Sequence, residues 1–199
     1  MNAPVNVVVN VADFWPQPDQ GEAKIVTFND GRMKSYCRDA RVPGAFRMNE
    51  YDQNGSWIDA WLYRIDPVHG VLEFADEYPQ RPWLKWFGPV RRTNYARGWE
   101  NMWGGRQSIG SLISQTVKTA GLFEAFGTNE IRFVSAAATA PELPFYAGPL
   151  LQIERTETWA GKALHTTYFL ARGIGFVKVR YVAGSQWAVQ VQKVRVGVA

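Results

Sequence analysis

The chain has one cysteine, Cys37, and two histidines, His69 and His165. A single cysteine makes an internal disulfide impossible and fits a reducing compartment. No histidine lies near it in sequence, so it reads as a small, partly buried side chain and not as a nucleophile. A zinc site needs three or four converging ligands, and these scattered groups fall short of that. No metal and no cofactor is expected. No apolar run approaches the 20 or so residues that cross a bilayer, so no membrane span is expected either. The opening "MNAPVNVVVNVADFWP" has no leading Lys or Arg, and Asn interrupts its apolar stretch. It reads as neither a secretory signal nor a lipid-anchor signal. The expected location is the cytoplasm, or a virus particle assembled there. No GxSxG nucleophile elbow, internal repeat or low-complexity tract occurs.

What is present is apolar and aromatic. Of 199 residues, 46% are hydrophobic and 14% aromatic, with nine tryptophans. That suffices for one folded domain over residues 1–199, burying roughly two thirds of its unfolded surface without disulfides. The net charge of +4 is only mildly basic, well short of a nucleic-acid-binding tail.

The patterning is mostly of period two, the signature of half-buried strands. "VNVVVNV" (5–11) and "AKIVTF" (23–28) read as strands. Asn29–Gly31 supplies an Asp-Gly turn suited to a hairpin. "SWIDAWLYRID" (56–66) and "VLEFADEY" (71–78) form a second hairpin around "PVHG". On simple alternation Trp57, Trp61 and Tyr63 share one face, and Glu73 and Glu77 share another with Asp76 opposite. Residues 79–105, "PQRPWLKWFGPVRRTNYARGWENMWGG", form a long Trp/Arg-rich excursion, and ordered loops of that length usually have a function. In "SIGSLISQTVKTAGLFEAF" (108–126), Ile109, Leu112, Ile113, Val117 and Ala120 fall at helical spacing. One helix is expected there, although Gly110 and Gly121 weaken it. From 150 to 199 the alternation and short turns imply an antiparallel β-meander.

Within the meander, "YFLARGIGFVKVRY" (168–181) could suggest a phosphate loop. Such a loop needs a helix after its glycines, and "FVKVRY" is strand-like. Gly173 and Gly175 are therefore expected to kink one long strand. The segment Leu150–Tyr181, with Tyr168, Phe169, Ala171, Gly173, Gly175, Val177 and Lys178 in a strand–turn–strand setting, resembles the closing hairpin of bacterial secreted or lipoprotein-like β-sheet domains of uncharacterised function. The resemblance covers about a sixth of the chain. It implies local fold and carries over no catalytic residue.

The basic-aromatic stretch is the strongest surface candidate. Trp83, Trp86, Arg91, Arg92, Tyr95, Trp99 and Trp103 combine the residue types favoured at protein interfaces. The same types stack on sugars and on single-stranded nucleic acid, and some of them could simply fill the core. Acidic pairs such as Glu73 with Glu77 have the composition a glycan hydrolase needs, yet solvated strand faces explain them as well.

The expectation is a mainly β protein: an antiparallel sheet, as a sandwich or half-barrel, with one helix and a long aromatic loop. In function it reads first as a non-enzymatic structural or adaptor subunit of a larger assembly, oligomeric with other protein subunits, as in a bacteriophage virion. The alternatives are a Trp-rich glycan- or lipid-binding β domain and, third, a glycan hydrolase.

Overall fold

The computed structural model describes residues 7–80, 90–120, 126–141, 143, 146–159, 161–181 and 188–198. The strands are β1 (Val8–Asn10), β2 (Glu22–Phe28), β3 (Met33–Arg38), β4 (Phe46–Tyr51), β5 (Trp57–Asp66), β6 (Gly70–Pro79), β7 (Val90–Asn94), β8 (Glu100–Gly104), β9 (Arg106–Ser108), β10 (Leu112–Lys118), β11 (Phe126–Ala138), β12 (Leu150–Trp159), β13 (Lys162–Ala171), β14 (Gly175–Tyr181) and β15 (Ala188–Val198). The protein is mainly β, and among the described residues every pairing is antiparallel.

The pairing order runs almost entirely between sequence neighbours. Strands β2 to β7 form one run and β10 to β15 another, and β15 joins the two by pairing with β2, Val194 opposite Val26. The two outer edges then meet. Tyr95 and Thr119 form a bridge, in which Ala96 N–H donates to Lys118 O and Ala120 N–H to Asn94 O, both at 2.8 Å. The sheet is thus rolled into a ring of twelve strands pinned at that corner. Rolling satisfies edge groups that would otherwise invite another chain to pair. Strand β8 continues along β6 where β7 stops, with Glu100 opposite Glu73 and Gly104 opposite Val71. The excursion expected over 79–105 therefore contains two strands of the sheet.

Val26, Tyr36, Met48, Tyr63, Ile131, Ile153 and Leu170 line the inner face and are buried. Residues 8–16 pack against this face. Strand β1 pairs with β9, and a 3-10 turn at Val11–Phe14, capped by Asn10, follows it. Trp15 then packs at 4.9 Å from Trp103 and 5.1 Å from Phe176, and Tyr63 Oη donates to Pro16 O at 2.7 Å. Tilted and edge-to-face aromatic pairs at these separations add to area burial.

Three expectations are corrected. The helix over 108–126 is absent from the described residues of that stretch. They form the end of β9, a turn with Gly110 at φ 92°, and β10. Ile113, Gln115 and Val117 point inward while Leu112, Ser114 and Thr116 are exposed. Pairing of all seven β10 residues with β11 overrides the helical spacing, and Ile, Thr and Val suit a pleated surface. The only helical element described is the 3-10 turn. Second, Gly173 and Gly175 do not kink one strand. They reverse the chain between β13 and β14, with Tyr168 opposite Val179; both have positive φ, 63° and 87°, which glycine alone adopts without strain. The third correction concerns the faces of β5 and β6.

Candidate functional site

Two β-bulges decide which side chains meet on the inner face. In the β5–β6 ladder the register shifts at Phe74, between the pairs Leu62–Ala75 and Tyr63–Glu73. An extra residue in a strand reverses the alternation beyond it. Glu73 and Asp76 therefore share the inner face, and Glu77 points outward. In the β4–β5 ladder the shift at Ile58 sends Trp57 outward, while Asp59 and Trp61 stay inward. Adjacent pairs then build one layer: Lys34 opposite Glu50, Glu50 opposite Asp59, Trp61 opposite Asp76.

This layer is charged where the rest of the inner face is apolar. Lys34 pairs with Glu50 and lies over the Trp61 ring, 5.2 Å from its centroid. Glu73, 3% exposed, accepts from Tyr95 Oη at 2.5 Å and from Trp103 Nε1 at 3.0 Å. Asp59 Oδ2 accepts from Trp61 Nε1 at 3.0 Å, and Asp76 Oδ2 from Tyr78 Oη at 3.2 Å. Across the ring, Arg155 donates to Asn129 Oδ1 at 2.7 Å, pairs with Glu157 at 2.8 Å and lies 4.2 Å from the Trp103 centroid.

Burial strains these charges. It lowers the Lys34 ammonium to about 7, against the pull of Asp59. It raises the Asp59 carboxyl to about 6, against the pull of Lys34. Asp76 is pushed well above the carboxylate range, first by burial and then by the charges of Glu73 and Asp59. Burial also raises Glu73. Burial and the neighbouring charges of Glu73 and Asp59 thus favour the neutral form of Asp76. Clustered, opposed shifts of this kind mark functional sites more often than chance. Asp59 Oδ1 is enclosed and meets no donor among the described residues. Tyr78 is 37% exposed. Among the described residues, no three His, Cys, Asp or Glu side chains are placed to hold a metal ion.

The residues singled out in sequence are distributed differently. Trp83 and Trp86 lie outside the described residues. Arg91 is opposite Tyr78 in the β6–β7 ladder, and its side chain also lies outside the description. Tyr95 and Trp103 are buried at 4% and 1% exposure and hold Glu73. Arg92 and Trp99 belong to the outer face. There Glu77, 1% exposed, accepts from Arg41 at 2.9 and 3.2 Å and from Arg47 at 2.6 Å, with Arg92 Nε at 3.5 Å. Trp99 packs 5.1 Å from Phe74, with Arg64 4.6 Å above it. Arginine stems and rings thus cover Leu62 and Ala75, which are fully buried although they face outward.

Sequence reasoning missed Lys34 and Asp59. The available signal was a charge placed on the apolar parity of a strand, in "RMKSYC" and "SWIDAW"; in the second the bulge at Ile58 hid it.

No family model, curated protein or solved structure matches the chain.

Proposed function

We propose that this protein is a non-enzymatic binding domain whose rolled sheet receives a hydroxyl-rich ligand, of the glycan class, against the inner-face layer around Asp59. One observation carries this reading: Asp59 Oδ1 is enclosed without a donor. A buried acceptor left unpaired costs about 1–3 kcal/mol, and a ligand hydroxyl would recover it. Asp76, whose neutral form burial favours, offers a donor. The lipid alternative fits poorly, because an acyl chain would desolvate Lys34, Glu50 and Asp59 without compensation.

Affinity electrophoresis through gels containing soluble polysaccharides, followed by titration calorimetry with oligosaccharides, tests the reading. Retention should fall at least tenfold in Asp59→Asn, in protein shown to be folded by its melting curve. A folded wild-type protein retained by no glycan would sink the proposal. Cleavage of a retained glycan, lost in Asp76→Asn, would move the assignment to a hydrolase.

A second reading, a subunit docking other protein chains as in a virion, is favoured by the outer Arg–aromatic belt. Its Arg41 is 57% exposed. A monodisperse monomer at high concentration in light scattering would count against it.

A further inference from the structure

Among the described lysines, Lys34 alone is buried. Its side chain borders a small cavity of about 20 Å³ with Glu50, Arg32, Tyr51, Phe28 and Val179. That volume holds roughly one water-sized group. The Lys34 and Glu50 side chains keep 11% and 22% of their surface exposed, so a small molecule reaches the amine without the sheet opening.

Glu50, Asp59 and Arg32 set the charge around the amine. Glu50 on β4 pairs with it. Burial lowers its ammonium to about 7; Asp59 on β5 opposes that shift and Arg32, in the turn before β3, adds to it. Arg32 is itself paired with Asp30 at 2.6 Å. Phe28 and Val179 on β2 and β14 are apolar. Nζ lies 5.2 Å from the Trp61 centroid and 5.3 Å from that of Phe176. An amine that yields its proton near neutrality is a nucleophile, and Glu50 is in place to take that proton and return it. The carboxylates and ring faces all favour a cation at Nζ. An iminium ion keeps the positive charge there, whereas an acyl adduct would leave Glu50 buried without its counter-charge.

We propose that Lys34 captures short-chain aldehydes as an iminium ion in this cavity, with Glu50 as its proton partner. The Nζ lone pair forms the C–N bond while the C=O π pair moves to oxygen. A proton passes from nitrogen to that oxygen, giving a carbinolamine. The proton that Glu50 took from the ammonium then goes to the hydroxyl, which leaves as water as the nitrogen lone pair closes the C=N bond. Ammonium and aldehyde thus become iminium and water, with atoms and charge balanced and no oxidant or reductant required. The size of the cavity restricts the aldehyde to one or two carbons. The step needs no hydrogen bond at Asp59 Oδ1, so it stands or falls separately from the glycan reading.

Reductive methylation tests it. The folded protein is treated at pH 7 with limiting formaldehyde and sodium cyanoborohydride, which reduces the iminium to a stable N-methyl group, and labelled lysines are identified by peptide mass spectrometry. Lys34 should label at least about fivefold faster than Lys162, which is exposed at the start of β13. In concentrated urea that preference should vanish, because unfolding removes the burial. Glu50→Gln, in protein shown to be folded by its melting curve, should slow labelling of Lys34 by about threefold or more and leave Lys162 unchanged. Labelling of Lys34 no faster than Lys162 in the folded protein would overturn the inference, as would a preference that persists in urea. An unchanged Lys34 rate in folded Glu50→Gln would overturn the role given to Glu50.

Discussion

Glu73 and Glu77 stand on the same strand and face opposite sides of the sheet, because the bulge at Phe74 reverses the alternation between them. Glu73 accepts from Tyr95 and Trp103 on the inside; Glu77 accepts from Arg41 and Arg47 on the outside. Two carboxylates so placed cannot flank one scissile bond.

Their substitutions should differ accordingly. Burial already favours the neutral form of Glu73, so Glu73→Gln resembles it and loses mainly one acceptor, costing about 1 kcal/mol. Glu77→Gln leaves Arg47 and Arg41 without their counter-charge and should cost about 2–3 kcal/mol, below the range for fully buried pairs because the arginines are partly exposed. Urea denaturation of the two variants checks the order. Equal costs would contradict the opposed-face placement.

The tryptophans should separate in the same way. Trp103 touches Trp15, Tyr168 and Phe176, so Trp103→Ala should cost about 3–5 kcal/mol. Trp99 lies half-buried between Phe74 and Arg64, and Trp99→Ala should cost about 1 kcal/mol. Thermal melts of both variants make the comparison.

The Asp59–Lys34 pair predicts an unusual pH profile. Asp59 is raised from 3.8 to about 6 in the fold. The folded state then binds more protons than the unfolded state between these values, so its contribution is fully present below 3.8 and lost by about pH 6. Lys34 is lowered from 10.5 to about 7, so its contribution is present above 10.5 and lost as pH falls to about 7. Together they place a trough of stability near pH 6–7. Asp59→Asn should remove the acid limb and Lys34→Met the alkaline limb, each on the order of a few kcal/mol, the Lys34 limb the larger. Urea midpoints measured from pH 4 to 10 would show it; parallel profiles for wild type and both variants would refute it.

The two turn glycines of the β13–β14 hairpin should also differ. A Cβ at Gly175 would lie 2.8 Å from Tyr36 Oη and 3.1 Å from Pro16, whereas Gly173 faces open space. Gly173→Ala should cost only the positive-φ penalty, about 1–2 kcal/mol. Gly175→Ala adds a clash with a buried tyrosine and should cost at least about 1 kcal/mol more. Denaturation midpoints give the ranking.

The antiparallel β class was readable in the chain itself. Period-two alternation and glycine-bearing turns specify strands and hairpins locally, and the residues of "YFLARGIGFVKVRY" do so within one hairpin. Three things depended on tertiary structure. Strand β10 is a strand because β11 pairs along it, although its apolar spacing also suits a helix. The rolling of the sheet depends on Tyr95 meeting Thr119 and on β15 meeting β2, contacts that no local pattern encodes. The candidate site depends on single-residue bulges at Ile58 and Phe74. Alternation places a side chain only relative to its neighbours, so one inserted residue exchanges the faces of all that follow. Lys34, Asp59 and Asp76 become one layer, and Glu77 leaves it, only once the strands are in register.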